Sequence, residues 1–254
     1  MRFGFCTSLD NIELVEKIGF DFIEAPLNSI HALGDAEFDA LAEKVNRMKI
    51  RVDCVNLLYP KTLSLIGPGA DPAGIDAYLD KAFSRANKLG TKIAVFGSGK
   101  SRAIPESYPM HRGFAELIDV TRRTGEAAKK YGITIAIEPL NRDESNCINS
   151  LAEGAMLQAA VGSDSVGLLA DLYHMRKEDE PMKYIKAIGE LTHTHIAVLA
   201  GRACPCEMCD EIADFFTALA SINYQGAMSI EGKAQNLETD AEKALKLLRS
   251  LQTQ

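Results

Sequence analysis

Four polar residues in the second half of the chain have the types and positions of a divalent-metal site. Each ends or interrupts an apolar run: Glu138 in IAIEPLNR, Asp171 in LLADLYH, His195 in THTHIAV and Glu231 in MSIEGK. Three carboxylates and one imidazole form a hard, mostly oxygen ligand set, which suits Mn2+, Mg2+ or Co2+ better than a thiolate-rich structural zinc site does. The alternative interpretation is that one or two of these residues cap a helix or form a salt bridge, since buried charges need partners.

The elements that must position these residues follow a repeated order of apolar strand, loop, amphipathic helix and glycine. The runs TKIAVFG, ITIAIEP and VGLLAD are nearly continuous apolar stretches, which is typical of parallel strands covered on both faces. The strands are predicted at roughly 2–6, 21–25, 50–57, 91–97, 132–138, 165–171, 192–199 and 226–231. The helices are predicted at roughly 9–18, 35–48, 74–89, 113–131, 150–161, 179–189, 209–222 and 238–251. Four glycines are predicted to end a helix before a strand: Gly19, Gly90, Gly132 and Gly226.

Strands and helices that alternate over 254 residues predict an α/β fold, a (β/α)8 TIM barrel, with residues 1–254 forming a single domain. A doubly wound open sheet is the main structural alternative. That fold normally carries a glycine-rich phosphate turn after an early strand, whereas the first strand here leads into CTSLDN. In a TIM barrel the carboxyl ends of the strands gather at one face, so the four polar residues are expected to meet there.

Composition limits which partners and which cellular compartment are expected. The 28 Lys and Arg residues against 35 Asp and Glu residues give a net charge of −7, which disfavours nucleic acid and anionic membranes as partners. The sequence has no apolar run long enough for a transmembrane helix, and MRFGFCTSLDN does not resemble a signal peptide. Six scattered cysteines in a chain of this size suit a reduced, cytoplasmic protein. We expect a small-molecule substrate, and association into a homo-oligomer is left open.

Several segments carry a resemblance to a known superfamily. EPLNRDE at 138–144, DLYHM at 171–175, HTHIA at 193–197 and IEG at 230–232 resemble, in order and spacing, the xylose-isomerase-like TIM-barrel superfamily. Within it, the chain most resembles the ketose 3-epimerases of the D-tagatose or D-psicose type and the hydroxypyruvate isomerases. FGSGKSRAIP at 96–105 is similar to the loop after the fourth strand in many of these proteins, so the resemblance spans most of the chain.

The resemblance implies roles for individual residues. It implies that one divalent metal ion is bound by four ligands: Glu138, Asp171, His195 and Glu231. It implies that Glu138 and Glu231 are also the catalytic acid and base. It implies that the substrate is held by three further residues: Glu144, His174 and Arg202. The offset of Arg202 from the HxH motif is one residue longer than the common pattern.

The implied activity is that of an isomerase, either a carbohydrate epimerase or an aldose–ketose isomerase, acting on a small sugar or a hydroxy-keto acid. A proton beside a carbonyl is too weakly acidic to leave unaided, and a metal ion stabilises the resulting enediolate. Return of the proton by a second carboxylate on the opposite face inverts the carbon. Return to the neighbouring carbon isomerises the sugar. Two glutamates that share one metal titrate together, so the one that starts protonated is left open.

The chain departs from the family pattern after His195, because Val198 stands where an acidic residue is usual and GRACPCEMC replaces a glycine-rich loop. Two alternative functions stay open, and this departure supports the first of them. One is a non-catalytic barrel that binds a sugar or a partner. The other is an endonuclease-type metallohydrolase, which five histidines and a negative net charge disfavour. The thiols of Cys204, Cys206 and Cys209 are expected to belong to an ordinary reduced loop, with a second metal site or a redox lid as the alternative.

Three further residues and one loop have both a structural and a functional interpretation. We expect His193 to be a hydrogen-bonded residue inside the barrel, and Lys233 to be solvated. Glu24 ends the second strand and either faces the pocket or holds the IEAP loop. The glycines of FGSGK are expected to make a tight turn, and the alternative is that this loop and Arg102 cradle a substrate anion.

Overall fold

Eight parallel strands close into one barrel in the computed structural model, which describes residues 1–252. The strands are β1 (Arg2–Cys6), β2 (Phe22–Pro26), β3 (Cys54–Asn56), β4 (Ile93–Phe96), β5 (Thr134–Ile137), β6 (Val166–Asp171), β7 (His193–Ile196) and β8 (Ala227–Ile230). Each strand pairs with its neighbour in the chain, and β8 pairs with β1 to close the ring. The prediction of a (β/α)8 TIM barrel is confirmed.

Helices cover the outside of the barrel. They are α1 (Ile12–Ile18), α2 (Leu27–Ala32), α3 (Asp35–Arg47), α4 (Pro72–Lys88), α5 (Met110–Lys129), α6 (Leu151–Val161), α7 (Leu172–Lys177), α8 (Lys183–Ile188), α9 (Asp210–Ala220) and α10 (Leu237–Gln252), with short 3-10 segments at Leu9–Asn11 and Ala200–Arg202. Their apolar faces pack on the strands in one large core. Within residues 1–252 we find no helix with the length and apolar character to cross a bilayer.

The structure differs from the predicted elements at short segments. α2 and α7 were not predicted, because six residues are too few to establish a helical period. The predicted strand 50–57 is reduced to β3, although Arg51 O still accepts a hydrogen bond from Ile23 N–H at 3.0 Å. Gly226 does not end a helix, since α9 stops at Ala220. Gly226 instead allows close packing, because a Cβ there would lie 2.5 Å from the Tyr224 hydroxyl oxygen.

The inside of the barrel has an apolar side and a polar side. Val95, Ala136 and Leu169, from β4 to β6, form a small apolar cluster. The side formed by β7, β8 and β2 is polar and fully buried, and its members are His193, His195, Ser229 and Glu24. Buried polar groups are stable only when they are hydrogen-bonded, so this side of the barrel must contain an internal network.

Candidate metal centre and active site

The four predicted ligands converge at the carboxyl ends of the last four strands. Glu138 directly follows β5, Asp171 ends β6, His195 lies in β7 and Glu231 directly follows β8. One ligand atom from each lies within 4.8 Å of the ligand atoms of the others. His195 Nδ1 is 3.0 Å from Glu138 Oε1, 3.7 Å from Asp171 Oδ2 and 3.5 Å from Glu231 Oε2. Metal–ligand distances of about 2.0–2.6 Å allow one cation to contact such a set.

Strand register accounts for this convergence. Asp171 is paired with His195 across β6 and β7, and His195 is paired with Ser229 across β7 and β8. Side chains alternate along a strand, so Glu231, two residues after Ser229, points to the same side of the sheet. The pairing therefore aims three of the four side chains at one point, and a shift of one residue in any strand would remove a ligand.

Glu138 is held in place by Arg102 and by two glycines. Arg102 is fully buried, and its guanidinium donates to Phe96 O at 2.8 Å and to Glu138 O at 2.9 Å. A Cβ on Gly97 would lie 2.2 Å from Glu138 Oε2, and a Cβ on Gly99 would lie 2.4 Å from a backbone oxygen. The FGSGK segment is thus a close-packed turn, as expected. Arg102 ties the ends of β4 and β5 together and is not part of the cavity lining, so its guanidinium takes no part in an anion cradle, although Lys100 of the same loop lines the cavity.

Glu24 is a part of the site that the sequence did not define. It lies beneath the candidate centre, fully buried, with Oε1 2.9 Å from His195 Nε2 and Oε2 2.8 Å from His193 Nε2. Ser229 Oγ donates to the same Oε2 at 2.5 Å. A carboxylate on Nε2 leaves Nδ1 of His195 directed at the cluster, which is the usual way a metal-binding imidazole is oriented. His193 is in the barrel interior, as expected, and Glu24 does not face the pocket.

Charge is unequally distributed among the buried carboxyl groups. Burial and the nearby Glu231 carboxylate raise the pKa of Glu138. Burial acts in the same direction on Glu231, but the positive charges of His195 and Arg202 outweigh it and lower the pKa of Glu231. Burial is likewise outweighed at Glu24, where the two histidines lower the pKa of the carboxyl group. The protein alone therefore gives Glu138 a higher affinity for a proton than Glu231, and the two groups titrate together.

The three residues predicted to hold substrate lie on one wall of a cavity of about 770 Å³ above the centre. Arg202 Nη2 donates to Glu231 Oε2 at 2.5 Å, and Arg202 Nη1 donates to Glu144 Oε1 at 3.2 Å. His174 Nε2 is 3.5 Å from Arg202 Nη2, and His174 Nδ1 accepts a hydrogen bond from Asn141 N–H at 3.1 Å. The longer offset of Arg202 from the HxH motif thus still brings its guanidinium to Glu231.

Three loops around the cavity contain non-glycine residues in the left-handed backbone region. These residues are Leu57 (φ 46°), Ser98 (φ 42°) and Arg202 (φ 52°), and all three line the cavity. Each such conformation costs about 1–3 kcal/mol and persists only where surrounding contacts hold it. The cavity wall is therefore a constrained structure that keeps its shape at an energetic cost.

The segment after β7 supplies no carboxylate at position 198. Val198 packs on the apolar core, and its N–H donates to Ala203 O at 3.0 Å. In the cysteine-rich part of this loop, each thiol has a different partner: Cys204 with Gly232 O, Cys206 with Asp240 O and Cys209 with Glu211. Burial raises the pKa of Cys204 to about 12, which keeps this thiol protonated. Throughout residues 1–252, no cluster with metal-binding geometry includes these three cysteines, which favours the ordinary reduced loop.

Comparisons with known proteins agree with this architecture. The family model described as "Xylose isomerase-like TIM barrel" matches residues 12–251. A D-psicose 3-epimerase of Agrobacterium fabrum is 28% identical over 227 residues, covering 87% of this chain and 77% of that protein. A probable ketose 3-epimerase of Synechocystis sp. is 28% identical over 228 residues, covering 85% and 75%. A crystal structure of a D-psicose 3-epimerase in the presence of D-fructose superimposes with a TM-score of 0.86 at 24% identity, covering 99% of both chains, which shows the shared fold.

Proposed function

Because the chain belongs to the xylose isomerase-like TIM barrel family, as its motifs predicted, we propose that it is a metal-dependent sugar isomerase. In this proposal it moves a proton on a carbon next to the carbonyl of a ketose, by 3-epimerisation or by aldose–ketose isomerisation. One observation carries the proposal: a ligand atom from each of Glu138, Asp171, His195 and Glu231 lies within 4.8 Å of the others, beneath a cavity of about 770 Å³. Relatives named as ketose 3-epimerases support it.

The proposed cofactor is one divalent ion, Mn2+, Mg2+ or Co2+, held by those four residues. The donor set fits, since three carboxylates so close together repel one another unless a cation or a proton lies between them. Two of the ligands, Asp171 and His195, are almost completely buried, as a site that excludes water requires. When bound, the ion would supply a Lewis acid for the negative charge that develops on the substrate oxygens.

Glu138 and Glu231 are the proposed acid and base. Both oxygens of Glu231 already accept hydrogen bonds, from Asn56 Nδ2 at 3.2 Å and from Arg202 Nη2 at 2.5 Å, which stabilise its ionised form. Glu138 contacts His195 and has the higher affinity for a proton. The two follow β5 and β8, three strands apart around the eight-stranded ring, so a substrate between them presents a different face to each. Removal of a proton by one and its return by the other inverts a carbon.

Other parts of the proposal concern the substrate and the setting. Glu144, His174 and Arg202 would hold substrate hydroxyl groups from one wall of the cavity. We also propose that residues 1–254 form a single domain, that the protein is cytoplasmic, and that it is able to form homo-oligomers. The free cysteines among the described residues suit a reducing compartment.

Deuterium exchange tests the proposed reaction. Protein stripped with EDTA would be reloaded with Mn2+, Mg2+ or Co2+ and incubated in D2O with a panel of ketoses and hydroxy-keto acids. We expect metal-dependent deuterium uptake beside the carbonyl, with the labelled carbon separating 3-epimerase from isomerase. Glu138→Gln and Glu231→Gln should abolish uptake while circular dichroism stays unchanged, and Glu180→Gln, a buried glutamate away from the centre, should retain it. Lack of uptake from every compound would favour the non-catalytic binding barrel.

A further inference from the structure

The cavity above the candidate metal centre carries a surplus of positive groups in a chain whose net charge is −7. Four cationic side chains and three carboxylates line it. Each carboxylate already has a partner, either His195 or Arg202: the three are Glu138, Glu144 and Glu231. The other three cationic side chains are those of Lys61, Lys100 and Lys233. Within residues 1–252, none of their ammonium groups forms an ion pair or a hydrogen bond.

Lys61 and Lys100 lie on two neighbouring loops that are fastened together. The loops follow β3 and β4, which are adjacent in the barrel. Three hydrogen bonds join them: Tyr59 N–H to Ser98 Oγ at 3.1 Å, Ser101 Oγ to Pro60 O at 3.0 Å, and Leu65 N–H to Ser101 O at 2.9 Å. These bonds flank both lysines, so the two exposed side chains extend from one wall whose backbone is constrained. Lys233 follows β8 and lies on another part of the rim.

We propose that the substrate carries an anionic group, a phosphate or a carboxylate, at the end remote from the reacting carbonyl, and that Lys61 and Lys100 bind this group. The inference rests on the proposed function, which puts the carbonyl at the four-ligand centre. A neutral ketose offers an ammonium group hydroxyl oxygens as hydrogen-bond acceptors, but no opposite charge. Two lysines on one wall supply the point charges that a terminal phosphate or carboxylate requires.

Matched pairs of substrates test the inference. Metal-loaded protein would be assayed by deuterium exchange with D-fructose and D-fructose 6-phosphate, with D-ribulose and D-ribulose 5-phosphate, and with D-tagaturonate as a carboxylate-bearing ketose. We expect kcat/KM for an anionic substrate to exceed that for its neutral counterpart by about tenfold or more, and to fall as salt is added. Preference between the phosphorylated sugars and the uronate identifies the anion.

Variants locate the binding group. Lys61→Gln and Lys100→Gln should each lower the anionic-to-neutral ratio of kcat/KM about tenfold, mainly through KM. Lys186→Gln, at an exposed lysine of α8 outside the cavity, should leave the ratio unchanged. Circular dichroism and thermal unfolding of each variant confirm that it is folded.

The outcomes separate this inference from the proposed function. If neutral ketoses react as well as anionic ones, or if the lysine variants do not change the ratio, the inference is overturned while the proposed function stands. If no ketose exchanges, the proposed function fails, and isothermal titration calorimetry with D-arabitol 5-phosphate decides the inference. Binding that is lost in the Lys61→Gln/Lys100→Gln double variant supports an anionic ligand, whereas no binding, or binding that the double variant retains, overturns it.

Discussion

Replacing Glu24 with glutamine is expected to weaken divalent-metal binding without altering any proposed ligand. Glu24 is fully buried, and its two oxygens contact His195 Nε2 at 2.9 Å and His193 Nε2 at 2.8 Å. An ionised carboxylate at this position fixes the tautomer of His195 and increases the basicity of the nitrogen that faces the centre. Glutamine has nearly the same size, but it is neutral, and its amide nitrogen can only donate a hydrogen bond. One of the present acceptor contacts is therefore lost.

The size of the effect follows from the position of Glu24 behind a ligand. Loss of such an outer partner typically lowers metal affinity about 10- to 100-fold, which corresponds to about 1.4–2.7 kcal/mol of binding free energy. Competition between the metal-free protein and a fluorescent chelator for Mn2+ measures the dissociation constant directly and requires no substrate. Glu24→Asp keeps the charge and shortens the side chain, so its affinity should fall between those of the wild type and Glu24→Gln.

Glu180→Gln is the matched control, because it exchanges another buried glutamate for glutamine at a position outside the ligand cluster. Its Mn2+ affinity should equal that of the wild type. A folded Glu24→Gln protein that also binds Mn2+ with wild-type affinity would refute the reasoning, since the carboxylate would then contribute only to packing. Equal losses in Glu24→Gln and Glu180→Gln would assign the effect to general destabilisation.

Three other changes have defined outcomes. Arg102→Met removes buried donors to Phe96 O and Glu138 O. Phe96 O keeps a hydrogen bond from Glu138 N–H at 3.2 Å, so Glu138 O is the carbonyl that loses its donor, and the free energy of unfolding in urea should fall by about 1–3 kcal/mol. Gly97→Ala places a Cβ 2.2 Å from Glu138 Oε2, so Mn2+ affinity should fall about tenfold or more by chelator competition, with a smaller loss of stability than in Arg102→Met. Burial raises the pKa of the Glu180 carboxyl group from 4.5 to about 7, so the folded protein binds a proton there more tightly than the unfolded chain does. The contribution of Glu180 to the free energy of unfolding is therefore fully present below about pH 4.5 and is lost as the pH rises through 7. Glu180→Gln should therefore be more stable than the wild type at pH 8 and should lose that advantage towards about pH 4. Its gain should be about 1–2 kcal/mol, below the limit of about 3.4 kcal/mol that the full shift allows, because solvent still screens the group. Thermal unfolding at the two pH values checks the sign.

The convergence of the four proposed ligands could be predicted because these residues interrupt strong local patterns. Asp171 and Glu231 stand at the ends of apolar strands, where a charged side chain has no explanation in packing alone. The barrel itself followed from the alternation of apolar strands with amphipathic helices. These signals are local in the chain, so they need no knowledge of which strands are neighbours.

Glu24 and Arg102 could not be assigned in this way, because their roles depend on contacts between distant strands. Glu24 meets His193 across 169 positions of sequence, and only closure of the barrel brings β2 near β7. In the sequence, Arg102 has the position of a cationic residue in a loop. In the structure its guanidinium points inwards and donates to the carbonyl oxygens at the ends of β4 and β5. Elements such as α2 were missed for a different reason, since six residues are shorter than two helical turns.

The departure of this chain from the family pattern at Val198 bears on the substrate more than on the metal centre. Val198 lies beyond the end of β7, whereas His195 lies within it and is paired with residues of both neighbouring strands. Strand pairing thus fixes the directions of the proposed ligands independently of the loop that follows. A change in that loop alters the wall and charge of the cavity while the four ligand atoms remain within 4.8 Å of one another. A barrel that lacks the usual carboxylate at 198, yet has lysines at 61 and 100, is therefore expected to keep proton-transfer chemistry and to differ in the sugar that it accepts.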